Sequence, residues 1–287
     1  MKKILVTGSS GQLGSELKLL SKKFNIYNWY FFDRKDLDFL ILDSINKKIS
    51  KVNPDYIINC AAYTNVENAE DNYLHADMIN NKAVGKIARW SFQNDKKLIH
   101  ISTDYVFGDN HIQPIKVEEK PAPLNIYGKT KFNGEKICLK ENPKSIIIRT
   151  SWLFSFYGKN FVKTIINLMN KDDKIKVVDD QIGSPTYAFD LASVIIKIIK
   201  FRNWFPGIYH YTNEGNISWY DFALQIKKII SLNKVKIMPI KTKNKKVLRP
   251  KFSVLNNSKI KSVFDIQLIS YKLSLVRCIE LIKHNEK

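Results

Sequence analysis

The stretch "YGKTK" at residues 127–131 sets a tyrosine four positions before a lysine, and these two side chains can move protons together. A free tyrosine titrates near ~10, so it relays protons poorly at neutral pH unless a neighbouring ammonium stabilises its phenolate. On a helix the i, i+4 spacing puts Tyr127 and Lys131 on one face. The spacing alone is weak evidence. Only six of the 47 basic residues are arginine, so with 13 tyrosines about two such matches arise by chance. Yet Tyr127 is the one tyrosine of the chain with a lysine at plus four. Upstream, "ISTDYVF" ends an apolar run with Ser102 and Thr103. A hydroxyl from Thr103 can hold a carbonyl group while Tyr127 protonates its oxygen.

For that meeting to occur, the run before Thr103 must be a strand that ends at the carboxyl edge of a sheet, where doubly wound folds place their ligands. "KKILVTG", "NWYFFD", "DYIINCAA", "LIHISTDYVF" and "KSIIIRTSW" read as five strands. Between them "QLGSELKLLSKK" forms an amphipathic helix with Leu13, Leu17 and Leu20 on one face. "SINKKISKV" forms another, capped by Ser44 and stopped at Asn53-Pro54. Further helices fall around residues 73–94 and 126–141. This alternation predicts an α/β protein with a Rossmann-like, doubly wound parallel sheet over residues 1–150. A smaller mixed α/β substrate-binding part is expected at 151–174 and 212–287, with the segment of about 175–211 returning to the first domain.

"GSSGQLG" places Gly8, Gly11 and Gly14, with Gln12 and Leu13 among them, between the first strand and the first helix. Glycines there permit a tight turn and close backbone approach, and the helix N-terminus can receive a pyrophosphate. About 20 residues on, the second strand ends at Asp33-Arg34. A carboxylate at that point binds a ribose 2′-hydroxyl, whereas an arginine can face a 2′-phosphate. The pair predicts use of either NADPH or NADH.

A formal charge of +20 invites a nucleic-acid reading, but the lysines are scattered along the chain and seldom alternate with aromatics. The expectation is no nucleic-acid partner, with the positive field serving an anionic substrate. Cys60, Cys138 and Cys278 are widely spaced, and the five histidines form no spaced cluster, so no disulfide framework and no metal site is expected. The first residues hold too few apolar positions for a signal peptide, and no apolar run is long enough for a membrane span. A cytoplasmic enzyme is therefore expected. The amphipathic "LSLVRCIELIKH" reads as a packing or oligomer face, which makes a homodimer an expectation.

Taken in order, "GSSGQLG", "NCAAYTNVENAE", "STDYVF", "PLNIYGKTKFNGE", "IIIRTSWLF", "GKNFVKTI", "VVDDQIGSPT", "SWYDFA" and "LRPKFSVLNNSKI" resemble the extended short-chain dehydrogenase/reductases. Within them the chain resembles the dTDP-4-dehydrorhamnose reductase family, over nearly its whole length. The resemblance implies reduction of the C4 ketone of dTDP-4-dehydro-L-rhamnose to dTDP-L-rhamnose with NADPH or NADH. It implies Thr103, Tyr127 and Lys131 as the catalytic group. It places Ala61, Ala62 and Tyr63 beside the cofactor, Asp38 and Phe39 near its adenine, and Asn80 as an ordering residue. Asp104, Tyr105, Trp152 and Asn160 would contact the sugar, with Gln181 and Arg249 toward the nucleotide diphosphate. Glu67, where relatives often carry aspartate, and the basic stretch "KTKNKK" before Arg249 depart from the family pattern. Competing readings are another nucleotide-sugar reductase or epimerase of the superfamily, and a non-catalytic subunit resembling the regulatory subunit of methionine adenosyltransferase.

Overall fold

In the computed structural model, which describes residues 1–232, 234–243 and 247–285, the five apolar runs become β1 (Lys2–Thr7), β2 (Tyr27–Phe32), β3 (Tyr56–Asn59), β4 (Lys97–Thr103) and β5 (Ile146–Thr150). Between them lie α1 (Gln12–Ser21), α2 (Leu42–Val52), α3 (Val66–Ala69), α4 (Tyr73–Asp77), α5 (Ala83–Gln93) and α6 (Ile126–Glu141). The second half carries β6 (Leu153–Phe154), α7 (Phe161–Met169), β7 (Lys174–Val178), β8 (Ile182–Gly183), β9 (Thr186–Tyr187), α8 (Ala188–Lys200) and β10 (Gly207–His210). It continues with β11 (Ile217–Ser218), α9 (Trp219–Ile230), β12 (Lys236–Ile240), α10 (Ser258–Phe264) and α11 (Tyr271–Asn285).

The main sheet runs β10-β5-β4-β3-β1-β2, with every neighbouring pair parallel. Both faces are covered, so its strands are apolar at successive positions rather than at alternate ones. Ile4 and Val6 of β1 face a core with Leu13, Leu17 and Leu20 of α1 and Leu191 and Ile195 of α8. Leu5 between them faces Ile45 and Ile49 of α2 and Val84 and Ile87 of α5. The order of strands reverses at β1, which leads to β2 on one side and β3 on the other. The crevice above that switch point is where a doubly wound sheet receives its ligand.

A second core gathers Phe154, Val162 and Ile166 against Phe222, Ile226, Leu275 and Ile279, which joins α7, α9 and α11. The apolar face of α11 is thus spent on internal packing, although Leu273, Val276 and Leu281 remain exposed. β7 pairs with β12 in a separate ladder, and β10 alone of the later strands joins the main sheet. The return expected from about residue 175 therefore begins with α8, because β7 finds its partner in β12.

Two local expectations differ. Ser44 is not the cap of α2, which starts at Leu42. Its hydroxyl instead donates to the Ile41 carbonyl at 2.8 Å from inside the first turn. The helical stretch expected at 73–94 is interrupted by a π-helical turn, Met78–Lys82, and such turns concentrate at functional sites. Among the described residues no helix is long and apolar enough to cross a membrane.

Candidate active site

Above the switch point lies a cavity of about 840 Å³ that runs from the glycine turn to the ends of β4 and β5. Its floor is backbone. Gly8 has φ +66°, and a Cβ there would meet the Ala61 amide nitrogen at 2.6 Å. A Cβ on Gly14 would meet the Gly8 carbonyl oxygen at 2.5 Å. These two glycines let the turn and the β3 loop close on each other. Gly11 caps α1 with no side-chain hydrogen bond, so the first turn of the helix keeps donors for an anion. Gln12, Leu13, Ala61, Ala62 and Tyr63 also line this end.

At the far end of this crevice Asp33, Arg34, Asp38 and Phe39 complete the wall. Asp33 spends one carboxylate oxygen on the amide of Lys35 at 2.7 Å and that of Asp36 at 3.3 Å. Arg34 is 70% exposed and sits 3.5 Å from an Asp38 oxygen, which leaves its fork accessible. Asn80 does not line the cavity; it works from behind. Its side chain accepts from the Tyr63 amide at 2.9 Å and donates to the Tyr63 carbonyl at 3.1 Å and to the Thr130 hydroxyl at 3.1 Å. The π-helical turn brings Asn80 to this position, clamping the β3 loop to α6.

The third region of the cavity brings Thr103, Tyr127 and Lys131 together. Asn125 caps α6 by accepting from the Gly128 amide at 2.8 Å, which starts the helix one residue before Tyr127. Gly128 permits the close approach of that first turn, since a Cβ would meet the Tyr105 carbonyl oxygen at 2.1 Å. Thr103 lines the same region as Tyr127, and its hydroxyl donates to Asp104 Oδ1 at 3.0 Å and accepts from the Tyr105 amide at 3.2 Å. Burial pushes the Tyr127 phenol above the ordinary range, opposed by the Thr103 hydroxyl, while Asp104 and Tyr105 add to the rise. The expectation that Lys131 would stabilise a phenolate is not met in the free protein, because its ammonium is turned to the Ile101 carbonyl at 2.6 Å. Burial pulls Lys131 down to about 8, opposed by Glu135 one turn along.

Asp104 is buried beside them. Burial raises its carboxyl to about 7, against hydrogen bonds from Ser253 and Thr103, and its Oδ2 has no partner. Trp152 also lines the cavity, from a left-handed backbone conformation with φ 48°. Its ring stacks on Trp219 with centroids 3.4 Å apart, and a Cβ on Gly183 would meet the indole at 2.4 Å. The stack and the glycine hold a backbone geometry that costs about 1–3 kcal/mol elsewhere.

Four of the residues assigned to the substrate by resemblance are not among those lining the cavity. Asn160 is occupied as the cap of α7, accepting from Lys163 N–H at 3.1 Å, and donates to Gln12 Oε1 at 3.1 Å and the Ser155 carbonyl at 2.7 Å. Gln181 donates to the Thr242 hydroxyl at 3.0 Å. Arg249 donates to Glu67 Oε1 at 2.8 Å, while its Nε has no partner. Burial pushes Tyr105 up to about 12, and its ring stands edge-on to Tyr127 at 5.7 Å. The basic stretch before Arg249 lies in part, at 244–246, outside the described residues.

The residues that sequence reasoning missed lie beneath the proton site. Glu135 of α6 takes a hydrogen bond from the Ser102 hydroxyl at 2.5 Å and a two-pronged ion pair from Arg149 at 2.9 and 2.7 Å. The signal was present in "IIIRT", since an arginine inside an apolar strand requires a buried partner.

A parallel sheet with a glycine turn at its switch point, and a tyrosine and lysine on the helix after its fourth strand, defines the extended short-chain dehydrogenase/reductase class. The chain belongs to the dTDP-4-dehydrorhamnose reductase family: residues 1–284 match the family described as "RmlD substrate binding domain". It is 39% identical to the dTDP-4-dehydrorhamnose reductase of Aggregatibacter actinomycetemcomitans, over 96% of this chain and 97% of that one. The crystal structure of that reductase from Bacillus anthracis in complex with NADP superposes with a TM-score of 0.91 at 36% identity, covering 98% of this chain and 99% of that one. An ortholog from Clostridium acetobutylicum gives a TM-score of 0.92 at 38% identity, with 98% and 99% covered.

Proposed function

We propose that this protein reduces the C4 ketone of dTDP-4-dehydro-L-rhamnose with NADPH, and that it also accepts NADH. The observation that carries this reading is the convergence of Thr103, Tyr127 and Lys131 on one end of a cavity whose other end is a backbone cradle for an anion. The cradle fits a dinucleotide: side chains are absent where Gly8 and Gly14 meet the β3 loop, and the helix N-terminus beside them is uncapped. Gly8, Gly11 and Gly14 would hold the pyrophosphate, with Asp33 and Arg34 at the adenosine ribose. The accessible fork of Arg34 suits a 2′-phosphate, while Asp33 allows NADH. When bound there, the reduced nicotinamide supplies the hydride equivalent to the carbonyl carbon.

The protein's own groups do the rest. Thr103 and Tyr127 hold the ketone oxygen, and Tyr127 gives it the phenolic proton as negative charge develops. A phenol raised by burial is fully protonated at neutral pH, which is the state a proton donor needs. Lys131, released from the Ile101 carbonyl, then stabilises the phenolate left behind. Asp104, with an unpaired oxygen, and Trp152 border the sugar. Arg249 faces the diphosphate by exchanging Glu67 for a phosphate oxygen. We assign Tyr105 to the sugar wall through its edge-on contact with Tyr127, and Asn160 and Gln181 to holding that wall in place.

The test is NADPH oxidation by the purified protein with and without dTDP-4-dehydro-L-rhamnose. Sugar-dependent oxidation with dTDP-L-rhamnose as product is expected. Oxidation by a different nucleotide-sugar ketone alone would move the assignment within the superfamily. Cofactor binding with no turnover of any would favour a regulatory subunit.

A further inference from the structure

The site explains Tyr127 and Thr103 but leaves Lys131 with a difficulty. It sits on α6 one turn before a carboxylate, Glu135, and the i, i+4 spacing puts the two side chains within reach of each other. Were the pair to close here, the ammonium would be neutralised in place and lost to the phenolate. The groups facing Lys131 from each packed element make Glu135 the decisive one. Cys138 on its own helix and Cys60 after β3 are thiols that burial keeps protonated, and each has its pKa raised. His100 on β4 is held neutral, since burial and the lysine both lower it. Tyr127 is a neutral phenol. Among these groups Glu135 is the anion.

Glu135 is already taken. Oε1 accepts from the Ser102 hydroxyl at 2.5 Å and Arg149 Nε at 2.9 Å, and Oε2 accepts from Arg149 Nη2 at 2.7 Å. Arg149 is itself fixed from three further sides. Its Nη1 lies 3.5 Å from the Val117 carbonyl and 3.4 Å from His210 Nε2, and the Phe107 ring sits 4.9 Å from the guanidinium carbon. His210 is a neutral partner, lowered to about 3 by burial and by Arg149. Both members of the ion pair are 2% exposed. A buried pair of this kind is poor evidence of stabilisation, because desolvation offsets most of its attraction. Its geometry has a different consequence: both carboxylate oxygens point at β4 and β5 rather than up the helix toward Lys131.

We propose that Arg149 and Ser102 are positioning residues for the reaction: by engaging both oxygens of Glu135 they keep that carboxylate from closing on Lys131, which leaves the ammonium free to serve Tyr127 and a bound cofactor. The same clamp ties α6 to β4, so Tyr127 and Thr103 are registered through Glu135 and Ser102. The proposal rests on the reading of Lys131 as the charged member of the site. A merely structural ion pair would also shift the lysine through its two charges, but it would leave the midpoint unmoved in the Ser102→Ala variant, which removes no charge.

The test is a pH titration of the Lys131 ammonium by 15N-lysine NMR in the ligand-free protein, with its signal assigned by its loss in Lys131→Met. The alkaline limb of NADPH-dependent turnover is recorded in parallel. Glu135→Gln removes the anion and should move the Lys131 midpoint down by about one pH unit. Arg149→Met frees the carboxylate and removes a positive charge, so the midpoint should move up by a similar amount, with weaker NADPH binding. Ser102→Ala unties one donor without stranding a charge and should move the midpoint up by a smaller step. It serves also where either charge variant does not fold. A rise in the Ser102→Ala midpoint, together with opposite shifts in the two charge variants, supports the proposal. Shifts in the same direction, or a midpoint unmoved in any soluble variant, would overturn it. Because the NMR titration needs neither substrate nor cofactor, it separates this claim from the reductase reading, which the turnover arm tests alone.

Discussion

The two ends of the cavity are built from different materials. At the glycine-turn end the surface is largely main chain: Gly8, Gly11 and Gly14, the start of α1, and the Ala61–Tyr63 loop held from behind by Asn80. At the opposite end the surface is side chain, and its groups are engaged internally: Trp152 stacks on Trp219 and Lys131 is turned to a carbonyl, while Arg249, outside the lining, is paired with Glu67. A backbone cradle has one shape and is ready before its ligand arrives. A side-chain surface must exchange internal partners for ligand atoms, so its net affinity is the difference between two sets of bonds.

That contrast can be broken by mutation. The largest effect belongs to the proton donor. Tyr127→Phe should lower kcat by roughly 10²–10⁴-fold, with NADPH affinity within about twofold of wild type. Steady-state rates and a fluorescence titration would check both, and activity near wild type would remove Tyr127 from its role. Next comes the cradle. Gly8→Ala must fit a Cβ 2.6 Å from the Ala61 nitrogen in a left-handed conformation, a strain of about 1–3 kcal/mol before any overlap is counted. NADPH affinity should fall by roughly 10- to 100-fold, because rigid backbone offers no alternative arrangement. An unchanged dissociation constant would mean that the turn does not hold the cofactor.

On the side-chain end, Arg249→Ala should raise the KM for the dTDP-sugar about tenfold. This is the low end of the ~1.5–3 kcal/mol for a charged hydrogen bond, because the arginine gives up Glu67 to bind phosphate. The KM for NADPH should barely change. Glu67→Gln should tighten sugar binding by a smaller factor, and an increase in KM there would show that Glu67 is not a competitor for the arginine.

The smallest effect is one of stability. Burial holds Asp104 at about 7, so the folded chain keeps its proton at pH values where the unfolded chain has lost it. The group therefore subtracts stability progressively between its unfolded value of 3.8 and about 7, and does so in full above that range. Asp104→Asn should raise Tm at pH 8 by a few degrees and leave Tm at pH 4 almost unchanged. An equal change at both values would point to packing rather than charge.

The same contrast governs what the sequence revealed. Elements whose cause is local were legible: the apolar runs of the parallel sheet, the α1 stripe of Leu13, Leu17 and Leu20, and the glycine spacing. Tyr127, Lys131 and Thr103 were legible because helix periodicity and strand order place them together. Positions governed by choice of partner were not. Asn160 could cap a helix or touch a sugar, and the amides of α7 claim it. β7 could extend the main sheet, but β12 offered it a partner. The π-helical turn left no mark in the apolar pattern, and the two hydrogen bonds between Asn80 and the Tyr63 backbone show what it positions. Nothing local marks Glu135, whose significance lies in its buried partner Arg149.

The central claim is that the cavity joins a reduced nicotinamide at its backbone end to a ketone at its side-chain end. It is tested most directly by isotope transfer. NADPH carrying deuterium at C4 of the nicotinamide is incubated with the protein and dTDP-4-dehydro-L-rhamnose, and the product is analysed by NMR and mass spectrometry. The account predicts one carbon-bound deuterium at C4 of dTDP-L-rhamnose from one face-labelled form of the cofactor, and none from the other. A product with no deuterium at C4, or label retained in the cofactor while the sugar is altered, would contradict it.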